Sequence, residues 1–291
     1  MTGSIRETAP AKINLALHVT GRRADGYHLL DSLVTFATDG DGLHLSPASE
    51  DSFRVTGRFG ALLGAGEDNL VIRARDLLRT AVRSTGHATP PVEITLDKAL
   101  PIASGIGGGS ADAAATLRGL CRLWNIRLPD DAMKALALSL GADVPMCLAS
   151  RPALARGIGE ELTPVPALPS LALVLVNPLV SVSTPEIFRR LERRDNDPMP
   201  PLPVDRQADW TAFLASQRND LEPPARALVD EIVTVSGALA ASGASLVRMS
   251  GSGATCFGLY AAPAEAERAA RRLTEQHPLW YVQPTSTVCG E

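Results

Sequence analysis

No run of basic residues in this chain exceeds two, and the net charge of −4 is spread over the whole sequence. The broad basic footprint by which proteins neutralise nucleic-acid phosphates is therefore absent, and no nucleic-acid partner is expected. An anionic ligand would have to be held locally. Cysteine is scarce: Cys121, Cys147, Cys256 and Cys289 lie far apart, without CxxC or metal-ligand spacing. This excludes a disulfide framework or a zinc site and predicts reduced thiols. No apolar run approaches the ~20 residues that a membrane span requires, and the opening "MTGSIRETAP" lacks the apolar core of a signal peptide. Neither membrane nor secretion is expected, and a cytoplasmic location follows. Repeats of fixed period are missing as well. What is present is a globular composition, 45% hydrophobic and 21% charged, in 291 residues. That length exceeds the usual single core, so two domains are predicted.

Alternation of Ile13, Leu15, Leu17 and Val19 with Lys12, Asn14, Ala16 and His18 predicts a strand over 11–19 with one buried side. After the Asp25-Gly26 turn signal, β character resumes over 28–37, with further short strands at 43–45 and 53–55. Asp68-Asn69 opens a helix whose Leu70, Ala74, Leu77, Leu78 and Ala81 share a face, with Gly86 as its stop. An alternating strand over 92–96 precedes a glycine cluster. Ser110 is placed to cap the next helix, which carries Ala113, Ala114, Leu117, Leu120, Cys121 and Trp124 inward. Another helix runs from Pro129-Asp130-Asp131 to Gly141. The proline-rich stretch over 163–169 marks a domain boundary, ahead of a strand over 171–176. Residues 195–205 read as a loop. The remainder predicts a helix after Pro223-Pro224, strands around 245–249 and through Tyr260 flanking "SGSGAT", a helix over 263–276 and a strand near Trp280. That order suits an α+β domain with helices on one face of an antiparallel sheet.

The glycine cluster, "PIASGIGGGSADAAATL" over 101–117, raises a chemical question. Glycine costs backbone entropy, and a cluster before a helix suits close approach of an anion to unpaired N–H groups at the positive end of the helix. Three known phosphate loops fail to fit. A Walker A loop needs a lysine after its last glycine, and none follows here. The dinucleotide fingerprint needs a glycine at position 110 and an acidic residue near 124–127; the chain has Ser110 and no acid there. The glycine loop of protein kinases joins two strands, whereas this one opens a helix.

What remains is Pro-x3-Gly-Ile-Gly-x2-Ser-Ala, which resembles the phosphate loop of the GHMP family of small-molecule kinases. "PAKINL" over 10–15 and "MSGSGATCFGLY" over 249–260 stand where that family carries its N- and C-terminal motifs. The segments "KINLALHVTGRRADGYHLLDSL", "EDNLVIRA", "LGADVP", "STPEIF" and "NDLE" are similar, in order, to the branch of the family whose alcohol substrate carries cytidine diphosphate and which serves the non-mevalonate isoprenoid pathway. Homoserine- or mevalonate-type kinases, which share the loop but not "GYH" with "STPEIF", stand as the alternative, as does a catalytically silent nucleotide-binding relative.

The resemblance implies an α+β two-domain fold. Residues 1–160 would form a β-rich N-terminal domain with helices over its sheet, carrying the phosphate loop and the catalytic residues. Residues 161–291 would form a ferredoxin-like C-terminal domain with the substrate residues and the second glycine loop, and the active site would lie in the cleft between them. It implies ATP and Mg²⁺, with the nucleotide held by Asn69, Pro101, Ser104, Gly105, Ile106, Gly107, Gly108, Gly109 and Ser110. Ser110 would act as helix cap, as ligand to Mg²⁺, or as both; Asn69 would cap its helix or reach the adenine. Asp143 reads from the residues alone as a turn aspartate, and by resemblance as the group that orients or deprotonates the alcohol. Lys12, carried over likewise, would keep that carboxylate ionised and stabilise developing charge. Asn14, Tyr27, His28, Thr184 and Phe188 map onto substrate positions, with His28 hydrogen-bonding cytosine and Phe188 stacking on it. Gly251 and Gly253 would form a backbone platform, and Asn219-Asp220 is read only as a helix cap.

Overall fold

The structure, a computed structural model, describes residues 3–63, 68–83 and 86–290. Glu67 of the "EDNL" stretch and residues 84–85 before the expected stop at Gly86 lie outside the described residues. The first strands are long, β1 (Ile5–Arg22) and β2 (His28–Pro47), followed by β3 (Ser52–Thr56), α1 (Leu70–Val82) and β4 (Val92–Asp97). Three helices come next: α2 (Gly108–Leu123), α3 (Asp130–Leu140) and α4 (Val144–Ala149). Then come β5 (Ala153–Gly157), β6 (Glu161–Pro164), β7 (Ala172–Asn177), α5 (Thr184–Arg189), α6 (Trp210–Ala215) and α7 (Glu222–Arg226). The chain closes with α8 (Asp230–Ala241), β8 (Leu246–Met249), β9 (Cys256–Tyr260), α9 (Pro263–Gln276) and β10 (Tyr281–Ser286).

These elements pack as two compact units interleaved along the sequence. One comprises Met1–Ala11, Asp39–Ile102 and Gly107–Ser150; the other comprises Lys12–Thr38, Ala103–Ile106 and Arg151–Glu291. Their division by packing differs from a single linear cut at 160/161, which we keep as a proposed division of function. In the first unit β4 pairs antiparallel with β2 from Gly42↔Asp97 to Pro47↔Val92 and parallel with β3. Helices α1 and α2 pack side by side, with α4 against α2. In the second unit β5 pairs antiparallel with β2 from Leu30↔Gly157 to Val34↔Ala153 and with β6.

The second unit also holds an antiparallel sheet in the order β10-β7-β9-β8. Counted along the chain this is β-α-β-β-α-β with strand order 4-1-3-2, the ferredoxin-like arrangement, interrupted after β7 by α5 to α7. Periodicity explains how its helices seat. Ala266, Ala269, Ala270 and Leu273 of α9 recur at helical spacing and pack with Val174 and Val176 of β7 and with Ile232, Val235 and Leu239 of α8 in one cluster.

Several expectations are corrected. The strands expected at 28–37 and 43–45 are one strand, because Asp41 of the turn-like "TDGDG" is consumed in a buried ion cluster described below. The strand expected over 11–19 runs from 5 to 22 and is buried on both faces, Lys12, Asn14 and His18 being 6%, 4% and 1% exposed. In α1 the inward residues are Val71, Ala74, Leu78 and Val82, and Leu77 faces out. Ser110 is not a cap: α2 begins two residues earlier, and its N-cap is Gly107, in a left-handed conformation without a side-chain capping bond. That helix is buried nearly all round, Ala111 through Leu117 included, whereas Cys121 is only half-buried. The hairpin of β5 and β6 was not foreseen.

Candidate active site

In the first unit the glycine turn into α2 is built by backbone geometry. Gly107 takes φ +65°, a conformation that strains any residue with a Cβ, and this turns the chain into α2. Ala111 N–H then makes the first helical bond, 2.9 Å to Gly107 O. The N–H groups of Gly108, Gly109 and Ser110 precede that bond, so helix geometry leaves them without an intrahelical acceptor. They form a positive terminus at which the Ser110 hydroxyl, free of capping duty, is half-buried. Pro101 is buried at the loop's entry. Leu70 reaches within 3.5 Å of the position a Cβ on Gly109 would take, so the start of α1 lies beside the loop. Asn69 caps that helix, its Oδ1 accepting from Val71 N at 2.9 Å.

Asp143 stands in the turn that follows α3, at the N-cap of α4. Its place is set by packing. Arg118 of α2 donates to Cys147 O of α4 at 2.9 Å, to Thr8 O at 2.8 Å and to Glu7 at 3.1 Å, which docks the Asp143 helix on the phosphate-loop helix. Just behind the loop, the Lys98 ammonium bonds both Asp41 and Asp112, and all three are buried. Burial pushes Asp112 up to about 7 against the pull of Lys98. Burial also works against the charge on Lys98, yet Asp112 and Asp41 outweigh it, and its pKa rises.

In the second unit two glycine loops meet backbone to backbone. Gly105 has φ +76°, and a Cβ there would lie 2.6 Å from Ser250 O, 2.7 Å from Gly253 O and 2.8 Å from Gly253 N. Lys12 N–H donates to Ile106 O at 2.8 Å, and Thr255 N–H donates to Ser104 O at 3.2 Å. Ser250 ties the strand to both loops: Asn14 N–H donates to its hydroxyl at 3.1 Å, and the hydroxyl donates to Gly105 O at 3.3 Å. The Asn14 amide donates to Ser32 at 2.8 Å, while its buried Oδ1 has no partner among the described residues. An orphaned buried acceptor is costly unless something donates to it. Thr184 shares a 2.6 Å hydrogen bond with Ser252 of the second loop. His28 and Phe188 stack on each other, ring centroids 4.6 Å apart and planes at 23°, beside Tyr27, which is 60% exposed.

Sequence reasoning missed the residues that hold these loops. Asn219, read only as a cap, accepts from Leu221 N at 3.0 Å and also donates to Met249 O and Gly251 O, each at 2.8 Å. Buried Arg248 donates to Leu15 O, Leu214 O and Gln217 O at 2.7–2.8 Å. The signal in the sequence was polar residues inside otherwise apolar segments, and its meaning depends on partners remote in the chain. With each buried hydrogen bond contributing about 0.5–1.5 kcal/mol, Asn219→Ala should destabilise the protein by about 2 kcal/mol or more. An unchanged denaturation midpoint in urea would show that the bridge to the second loop carries no stability.

Comparison with known proteins bears on the same residues. The model of the GHMP kinases N terminal domain matches residues 69–151, and that of the GHMP kinases C terminal domain matches 207–279. A 4-diphosphocytidyl-2-C-methyl-D-erythritol kinase of Rhizobium johnstonii is 62% identical, over 99% of this chain and 94% of its own length. One of Agrobacterium fabrum is 57% identical, over 97% and 96%. A crystal structure of 4-(cytidine 5'-diphospho)-2C-methyl-D-erythritol kinase superposes with a TM-score of 0.80 at 36% identity, covering 98% of this chain and all of that one. Homoserine kinase from Cytophaga hutchinsonii, at 20% identity and a TM-score of 0.70 over 100% of this chain and 97% of that one, shares the fold. With both family models in order along the chain and relatives this similar over nearly its full length, the chain belongs to the GHMP kinases.

Proposed function

We propose that this chain transfers the γ-phosphoryl group of ATP to the 2-hydroxyl of 4-diphosphocytidyl-2-C-methyl-D-erythritol, giving the 2-phosphate and ADP in the non-mevalonate isoprenoid pathway, in the cytoplasm. The observation that carries this reading is similarity to kinases of that name over 99% of the chain, joined to a lysine-free glycine loop at the start of a helix. Phosphoryl transfer passes through a loose transition state, so the protein's task is chiefly positioning and charge neutralisation. The N-terminus of α2 would hold the β- and γ-phosphates through backbone N–H groups, with Asn69 on the adenine side.

Mg²⁺ fits the donors that are present. Among the described residues no cluster of three or more His, Cys, Asp or Glu could hold a metal. The ion would therefore arrive on nucleotide phosphates, as Mg²⁺ usually does, with the uncommitted Ser110 hydroxyl beside it. It would supply charge neutralisation on the transferring phosphoryl group. Asp143 would orient the substrate hydroxyl and receive its proton late, and Lys12 would act in the same step by stabilising developing negative charge.

Asn14 and Thr184 would contact the substrate polyol, while the His28–Phe188 stack, with Tyr27 over it, would take cytosine. Burial, then Arg22 and Arg194, lower the His28 pKa, and its buried Nε2 has no partner among the described residues. A neutral imidazole at pH 7 offers one donor and one acceptor, and the edge of uracil would oppose what the edge of cytosine matches. The uridine analogue should lose about a hundredfold in kcat/KM, a mismatch of two buried polar groups at ~1–3 kcal/mol each. His28→Ala should remove the preference. Phe188→Ala should weaken both substrates and keep it, because stacking is tolerant of the base. Equal kcat/KM on both substrates in the wild-type enzyme would refute this pocket.

The lowered pKa also sets a pH dependence. Its direction means that the folded protein resists protonating His28, so the neutral form persists down through the ordinary value of 6.5. The KM for the cytidine substrate should stay level from pH 8 to 6.5 and rise only below that. A rise beginning above pH 7 would show that His28 titrates as an ordinary or raised histidine.

A further inference from the structure

The buried cluster of Lys98, Asp41 and Asp112 has no part in the chemistry above, yet it stands at both ends of the phosphate loop. At the entry, Asp41 Oδ1 accepts from two consecutive backbone groups, Ala99 N at 2.7 Å and Leu100 N at 2.8 Å, just before Pro101. At the exit, Lys98 Nζ donates to Asp112 Oδ2 at 2.8 Å, in the second turn of α2. The remaining Asp41 oxygen bonds the same ammonium, which closes the circuit. A Cβ on Gly108 would lie 3.0 Å from Lys98 Nζ and 3.6 Å from Asp41 Oδ2, so the ammonium packs directly against the first residue of the phosphate-binding turn.

Stability alone does not account for this arrangement. Moving three charges out of water is costly, and buried ion clusters can often be replaced by apolar side chains of similar volume without loss of stability. Here the carboxylates outnumber the cation, and Asp112 Oδ1 has no partner among the described residues. What such a cluster supplies, and an apolar core does not, is a specific geometry: two carboxylates from different segments must converge on one ammonium. Lys98 is also one of only three lysines among 28 basic residues.

We infer that Lys98, Asp41 and Asp112 form a staple that joins the entry and exit of the phosphate loop and holds the N-terminus of α2 in its nucleotide-binding geometry. Its members are positioning residues: they are buried behind the loop and act on the nucleotide through Ala99, Leu100 and Gly108. This rests on the reading that ATP binds at that loop. The two fail separately, since a wild-type protein that does not bind the nucleotide defeats that reading, whereas the staple is judged on variants against a binding wild type.

Asp112→Asn removes one charge at nearly constant volume and exchanges the charged acceptor of Lys98 for a weaker, neutral one. Affinity for a non-hydrolysable ATP analogue with Mg²⁺, measured by calorimetric titration, should fall at least tenfold, and KM for ATP should rise in parallel. KM for the alcohol should change less than threefold, and the melting temperature should not fall. The triple replacement Asp41→Leu, Lys98→Met, Asp112→Leu should remain folded and lose nucleotide affinity further. Analogue affinity within twofold of wild type in either folded variant would overturn the staple. So would an equal rise of both KM values in Asp112→Asn, which is the signature of general loosening.

Discussion

Asp143→Asn should lower kcat by about 10²–10⁴-fold, the usual range for a positioned acid–base group, with KM for both substrates little changed. The substitution keeps the size of the side chain at the N-cap of α4, and α4 remains docked on α2 through Arg118. A loss confined to turnover would therefore report the carboxylate itself. Lys12→Met should lower kcat as well. If the two groups serve one step, the double variant should cost much less than the product of the single losses, because residues that act as a unit are strongly non-additive. Multiplicative losses would separate their roles, and Asp143→Asn activity within a few-fold of wild type would remove Asp143 from the chemistry.

Gly105→Ala should be nearly as damaging and for a different reason. An added methyl would meet three backbone atoms within 2.8 Å, and Ser250 O, Gly253 O and Gly253 N cannot rotate away as a side-chain end could. The positive φ adds strain of its own, about 1–3 kcal/mol for a residue held in a sparsely populated region. The meeting of the two glycine loops should open, and with it the hydrogen bonds of Ser250 to Asn14 and Gly105. We expect kcat/KM for ATP to fall at least a hundredfold in a protein that stays folded by circular dichroism. By contrast, Gly237→Ala, where a Cβ meets nothing within 4 Å, should be silent. If the two variants had similar activity, the close approach at Gly105 would carry no function.

Where the sequence was legible, local chemistry and tertiary role agreed. The helix start after the glycine cluster was legible because close backbone approach and positive φ at Gly105 and Gly107 favour glycine, and α9 because its apolar stripe recurs at helical spacing. Ser110 was misread because serine before an alanine run is a good cap by propensity, yet a left-handed Gly107 started the helix earlier. Lys12, Asn14 and His18 suggested a solvated face because alternation reports only polarity, and a strand buried on both sides can carry polar residues wherever loops or ligands meet it. Asp41 drew no reading from the sequence, because its partner Lys98 lies 57 positions later in the chain. Such pairings leave no local pattern. The interleaving of the two compact units, with long strands contributing to both, is invisible for the same reason.

The most direct test of the account is a competition among acceptors. The purified protein is incubated with Mg²⁺ and γ-labelled ATP in an equimolar mixture of 4-diphosphocytidyl-2-C-methyl-D-erythritol, homoserine and mevalonate, and the labelled products are resolved by mass spectrometry and phosphorus NMR. The account predicts one labelled product, the diphosphocytidyl compound carrying a new phosphate on its 2-hydroxyl, formed together with ADP. Label on homoserine or mevalonate in preference, or ATP left unconsumed with all three, would contradict it.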